Sequence, residues 1–395
     1  MFTILIFVSG SQNSYVMKGA NGGWYFTPTS KLSGETALSE QDAANANITV
    51  AGTIAADKKG VNLVSNGITF DLAEGGRVSA ANFGILSNGA DLDLEIAGTV
   101  SAGWYPLYLS GARNSVSISG SVEGTGDGSA GLAMHGDGAN VEVQAGGIVS
   151  GEHAGIALIE RIGAHGLISN HGSISGGRFA VVGDDGTEVL VNRGILHGDI
   201  DLGGGNDTID LRHGTHDGNV IGGAGDDVYI FDRSSQKTNE IFGEGYDTVK
   251  ATVGFTIETS VERLILIGSR DIDGTGNFND NALFGNRGDN HLSGLGGLDF
   301  LDGGRGDDVL TGGLGSDTFH FAKGDGHDVI TDFRLDGFDM IELQGWTGIS
   351  SFRDLKRHHA HDTADGVLIE DGKDSLLISG LEKGELQLQY FVFEN

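Results

Sequence analysis

The chain of 395 residues carries 69 glycines but only 2 prolines, which excludes a collagen-like rod. Its 24 Lys and Arg face 55 Asp and Glu, so a net charge of −31 excludes nucleic acid and anionic lipid as partners and calls for cations. Cysteine is absent and no apolar run reaches the ~18 residues of a membrane span, so disulfides, thiolate metal sites and membrane insertion are excluded as well.

The first 46 residues read as an N-terminal cap or contact segment. The opening MFTILIFVSG has an apolar stretch, Phe2 to Val8, with no Lys or Arg before it; a β-strand is expected there rather than a secretory signal. Trp24, Tyr25 and Phe26 form the densest aromatic group of the chain. They suit either a cap over the open end of a solenoid or a surface for a neighbouring molecule, the second leading to polymerisation.

Residues 47–202 show no helical periodicity. A glycine-anchored phrase returns instead, as AGTIAA, GGRVSA, AGTVSA, SGSVEG, GGIVSG, HGSISG and NRGILHG, anchored on Gly52, Gly76, Gly98, Gly120, Gly147, Gly172 and Gly194. The anchors lie 22 to 27 residues apart, and two further strand-like phrases with period-two alternation fall within most units. Three short strands per repeat predict a parallel β-helix of about seven coils, roughly 35 Å long at ~4.8 Å per strand. The expected inward residues are Val61, Leu63, Leu107, Leu109, Val116, Ile118, Leu132, Met134, Val141, Val143, Ile156 and Leu158.

Residues 203–345 change character. Between 201 and 345 lie 22 of the 37 Asp but only 5 of the 18 Glu, and Asp beside glycine indicates tight turns or oxygen ligands for a hard cation. From Gly276 five nonapeptides run without a gap: GNFNDNALF, GNRGDNHLS, GLGGLDFLD, GGRGDDVLT and GGLGSDTFH. Related units stand at 202–210, 222–230, 242–250 and 323–331. The sixth positions supply oxygen through Asp207, Asp227, Asp247, Asn281, Asn290, Asp299, Asp308, Asp317 and Asp328. Glycines at positions 1, 2 and 4 permit positive φ and close approach of carbonyls to an ion. They include Gly222, Gly223, Gly225, Gly285, Gly288, Gly294, Gly303, Gly304, Gly306, Gly312, Gly313 and Gly315, with Gly296 beside them. One nonapeptide makes half a coil, so Asn281, Asp299 and Asp317 should line one side, Asn290 and Asp308 the other. Several calcium ions fit such a cage of six to eight flexible oxygens; magnesium suits it poorly.

These units resemble the RTX, or haemolysin-type, calcium-binding repeats, and the resemblance extends over about residues 200–395. It implies a parallel β-roll and export from a Gram-negative bacterium by the type I secretion machinery, hence a secreted, extracellular or cell-surface location. The Asn at 281 and 290 depart from the pattern, which puts the first sites in question. Residues 346–395 are similar to the family's C-terminal capping and secretion-signal region. The whole is expected to be all-β, a parallel β-helix running into an RTX β-roll as one elongated solenoid.

A catalytic site is harder to find. Polysaccharide lyases and epimerases need a group to neutralise a uronate and a base on the same face. Asp91, Arg113 and His135 are 22 residues apart, but local motifs pair His135 with Ser110, leaving Asp91 and Arg113 as an exposed ion pair. His358, His359, His361 and Asp362 sit in a basic, loop-like stretch and read as solvated. The sequence therefore predicts a non-enzymatic, calcium-folded surface scaffold, adhesin or filament subunit. Homo-oligomers and surface polysaccharide are its candidate partners, and a polysaccharide lyase or epimerase is the alternative.

Overall fold

A computed structural model describes residues 5–8, 11–12, 14–18, 23–41, 44–159, 165–241 and 243–394. The chain divides into two compact units, Met1–Asp227 and Val228–Asn395. Each is a parallel β-solenoid made almost wholly of short strands.

In the first unit the period-two alternation turns every second side chain inward, and parallel in-line pairing stacks like on like. One inward column runs Trp24, Ile48, Phe70, Leu94, Val116, Val141, Ile168, Leu190, Ile209. A second runs Leu38, Val61, Ile85, Leu107, Leu132, Ile156, Val181, Ile200, Val220. The third runs Leu32, Ile54, Val78, Val100, Val122, Val149, Ile174, Leu196. Three columns mean three strands per coil, as the recurring phrases predict. All twelve residues expected to face inward are buried.

The anchoring glycines stack on one another because backbone meets backbone there. A Cβ on Gly98, Gly120, Gly172 or Gly194 would collide with the carbonyl of the anchoring glycine one coil below. The next turn takes a left-handed residue in five successive coils, supplied by Asn45, Gly67, Asp91, Arg113 and Gly138, with φ between 57° and 74°. Arg113 is an unfavourable choice for that conformation, and it makes a two-pronged pair with Asp91 at 2.7 and 2.8 Å.

Trp24 and Phe26 are part of this core rather than its lid: both are buried, and the strand Gly23–Phe26 pairs with Asn47–Val50. On its other side it pairs with Leu5–Val8, so this part of the opening apolar stretch is a strand. The expected contact through Ile4 falls outside the described residues.

The second unit uses two strands per coil. Tyr229, Val249, Leu264, Leu283, Leu301, Phe319, Ile341 and Phe391 form one inward column. Gly274, Leu292, Leu310, Ile330 and Ile378 form the other. Near its C-terminal end parallel pairing stops. The strands Gly366–Asp371 and Asp374–Ser379 form an antiparallel hairpin, tied to the coils by Lys323, which reaches Asp374 at 2.8 Å and Asp371 at 3.1 Å. The stretch RDLKRHHAHD, expected to be a loop, is mostly helical over Phe352–His359 because Ser351 caps it, accepting from the Asp354 N–H. Its histidines diverge: His358 meets Asp354, His359 the Glu370 carbonyl, and His361 lies 3.8 Å from the Glu370 carboxylate.

Candidate calcium sites in the turns

The sixth residue of each nonapeptide ends a turn just before a strand, and its side chain folds back under the turn. There the Oδ1 of Asp207, Asp227, Asp299, Asp308, Asp317 or Asp328 accepts the backbone N–H of the equivalent residue one coil earlier. Asn281 N–H donates to Asp299 at 2.8 Å, Asp299 to Asp317 at 3.1 Å, and Asp317 to Asp339 at 3.0 Å. On the opposite side Asn290 donates to Asp308 at 2.7 Å and Asp308 to Asp328 at 3.0 Å. The two expected sides are therefore two carboxylate ladders. Within the first unit Glu188 donates to Asp207 at 2.6 Å and Asp207 to Asp227 at 2.7 Å. Asp247 donates to Glu262 at 2.7 Å.

The ladder uses one carboxylate oxygen and leaves the other. Asp299, Asp308 and Asp317 are at most 2% exposed, and the Oδ2 of each is buried without a hydrogen-bond partner. A buried carboxylate oxygen with no partner carries a desolvation cost that a bound cation removes. Burial, reinforced by neighbouring carboxylates, pushes Asp299 up to about 7, Asp308 to about 6 and Asp328 to about 8. Asp317 and Asp339 are raised for the same first reason. Burial thus makes the charged form of each group costlier than it is in water, a cost that a bound cation offsets.

Glycine makes room for the carboxylates. A Cβ on Gly294, Gly303 or Gly312 would collide with the side chain of Asp299, Asp308 or Asp317. Positions 2 and 4 take positive φ at Gly223 and Gly225, Gly304 and Gly306, and Gly313 and Gly315. In the GLGGLDFLD unit Leu295 takes φ 77° at position 2, with Gly296 and Gly297 after it. Gly222 is buried at the start of its unit.

The two asparagine turns are built differently. Asn290 donates its own amide to the Ile272 carbonyl at 2.7 Å, while Oδ1 accepts from Asn286 N–H. Asn281 donates to the Val261 carbonyl and accepts from Asn277 N–H. An amide thus carries its own donor where an aspartate leaves an acceptor open. Gly285 and Gly288 belong to the Asn290 turn, where neither takes a positive φ.

Sequence reasoning missed Glu188, Glu262 and Asp339, which occupy the same ladder position. Glu188 sits in GDDGTEVL, whose Gly183 and Gly186 hold two of the three glycine positions of the pattern; Asp339 follows Asp317 by 22 residues rather than 18, so a strict nonapeptide period skips it. Asp332, also missed, accepts the N–H groups of Gly312 and Gly313. Among the described residues no three His, Asp or Glu side chains converge as a metal cage. A cation here would be held by one carboxylate per turn together with turn carbonyls, a donor set of hard oxygens that fits calcium.

Strands stacked in parallel and bearing such turns define a calcium-binding β-solenoid. A family model of the RTX calcium-binding nonapeptide repeat matches residues 275–310, 284–319 and 294–330, so the chain carries RTX repeats there. Over 173 residues it is 40% identical to Endo-1,3-1,4-beta-glycanase ExsH of Rhizobium meliloti (strain 1021), covering 44% of this chain and 34% of that protein. Over 172 residues it is 36% identical to Endo-1,3-1,4-beta-glycanase EglC of the same organism, with the same coverage. The chain thus spans about a third of the length of these relatives. Among solved structures, extracellular lipase LipA from Serratia marcescens aligns with 60% of this chain and 40% of its own, at 16% identity and a TM-score of 0.24.

The relatives correct one expectation. The lack of a recognisable uronate-neutralising site led to a non-enzymatic scaffold, yet both relatives are named as glycanases, which overturns that expectation. No helix among the described residues is long and apolar enough to cross a membrane.

Proposed function

We propose that the protein is an extracellular, calcium-dependent glycan-acting β-solenoid, exported by the type I route and folded into its working form by several calcium ions outside the cell. The observation that carries the calcium part is the set of buried, unpartnered Oδ2 atoms on Asp299, Asp308 and Asp317. In calcium-poor cytosol the ladder carboxylates repel one another and resist burial. At the ~10⁻⁴–10⁻³ M calcium typical of extracellular modules, ion binding becomes folding free energy. The glycan part rests on the two similar glycanases and on a chain too acidic to favour polyanionic substrates.

The test has two arms. Circular dichroism and melting of the full chain, in chelator and in millimolar calcium, should show β structure gained and the melting point raised by calcium. An unchanged spectrum and melt would sink the calcium part. A reducing-end assay on mixed-linkage β-1,3-1,4-glucan, with and without calcium, should show calcium-dependent chain cleavage. Binding to glucan without new reducing ends would remove catalysis and leave an adhesive role.

A further inference from the structure

The outer surface of a solenoid strand is normally polar, because its alternate residues face water. Between the coils at residues 83 and 182 the first unit breaks that rule. Phe83 and Tyr105 are register partners on successive coils, their rings stacked 6.0 Å apart with planes 21° from parallel. Tyr108 meets both rings edge-on, Trp104 meets Phe83 edge-on, and His135 lies 4.9 Å from Tyr108. The next coils continue the face as an alanine floor, Ala130, Ala154 and Ala157, against which Tyr105 packs.

The rings are only half-buried, and Trp104 is 55% exposed. Beside them a depression of about 270 Å³ is lined by Trp104, Tyr105, Asp127, Gly128 and Ser129. The buried Nε2 of His135, on the same face, has no hydrogen-bond partner. An exposed aromatic patch with a few polar groups at its rim marks a ligand surface. Rings that offer a flat apolar face, with a carboxylate able to accept from hydroxyls, match the two sides of a pyranose: C–H groups on the face, O–H groups around the edge.

We infer that this face is a docking site for a neutral β-linked glucan, with Trp104 as the stacking platform and Asp127 as a hydroxyl acceptor. Neutrality follows from charge: Asp127 stands at the depression and the whole chain carries −31, so a polyuronate is repelled. The inference rests on the glycan-acting reading above and assigns it a place.

Trp104 also supplies the readout, since Trp24 and Trp346, the other two tryptophans, are buried at 4% and 3% exposure. Titrating the calcium-loaded full chain with a mixed-linkage β-1,3-1,4-glucan oligosaccharide should blue-shift the emission of the exposed tryptophan. In affinity electrophoresis through the same glucan, Trp104→Ala should weaken binding at least ten-fold and Asp127→Asn several-fold. Trp104→Phe should stay within a few-fold of the parent, and all three should melt with it. Unchanged binding by Trp104→Ala overturns the site, as does equal binding of oligogalacturonate. Self-association abolished by Trp104→Ala in sedimentation, without glucan binding, assigns the face to a second copy and overturns it too. The reducing-end assay run in parallel separates the two readings. Cleavage unaffected by Trp104→Ala removes the site and keeps the function; Trp104-dependent binding without cleavage does the reverse.

Discussion

A single carboxylate oxygen decides how each calcium turn behaves. Asp308 spends Oδ1 on the N–H of Asn290 and keeps Oδ2 buried with nothing to accept from. Asn290, in the same ladder, answers both its acceptor and its donor from the protein alone. Replacing Asp308 by Ala should therefore weaken calcium stabilisation, and Gly303→Ala should do the same by pushing a methyl group into the Asp308 carboxylate. Isothermal titration should show at least one fewer ion bound per chain in each. The same carboxylates set a pH dependence. Their folded pKa values, about 7 for Asp299, about 6 for Asp308 and about 8 for Asp328, lie above the unfolded value near 4. A raised acid stabilises the fold below its unfolded pKa and loses that contribution as pH rises through the folded one. In chelator the melting point of the RTX unit should fall by several degrees between pH 5 and pH 8. With saturating calcium, which binds the ionised form, it should rise over the same range. Asp299→Asn and Asp308→Asn should flatten both slopes in thermal melts.

Strands and turns differ in how much of them the sequence reveals. Columns such as Leu107, Leu132 and Ile156 are legible because hydrophobic alternation and the glycine anchors repeat together, and each anchor is required where two backbones touch. The calcium turns are legible where the nonapeptide pattern itself is kept, at spacings of 18 or 20 residues per coil. They fade at Glu188, Glu262 and Asp339, where coils of other lengths place a ladder residue off the period. The aromatic face was not legible at all: Phe83 and Tyr105 are 22 residues apart and become neighbours only through the register of their strands. Trp24 and Phe26 look like a lid in the sequence because they cluster, yet alternation simply places both inward. Strand energetics follow from the columns. Leu132 is fully buried between Leu107 and Ile156, so Leu132→Ala leaves a void and should cost ~2–5 kcal/mol. Urea unfolding should show that loss equally in calcium and in chelator, because no carboxylate ladder lies beside it.

At the scale of the molecule, the distribution of charge separates two kinds of stability. Up to Glu188 the coils of the first unit are held by three apolar columns and a glycine stack, none of which needs an ion. The second unit has two strands per coil, hence less apolar surface to bury per turn, and it inserts two ladders of buried acids into that smaller core. Hydrophobic burial at ~25 cal/mol per Å² stabilises the first unit at any calcium level, whereas the second must also overcome the desolvation of its carboxylates. Chelation at pH 7.5 should therefore unfold the second unit selectively. Limited proteolysis of the full chain in chelator should cut within residues 228–394 and leave a resistant fragment carrying the first-unit coils. Hydrogen exchange should then show Leu132 and Ile156 still protected while Leu301 and Leu310 exchange freely. Millimolar calcium should restore protection at both. Loss of protection throughout the chain on chelation would mean that the apolar columns cannot stand without the ions, and the division of roles between the two kinds of coil would have to be abandoned.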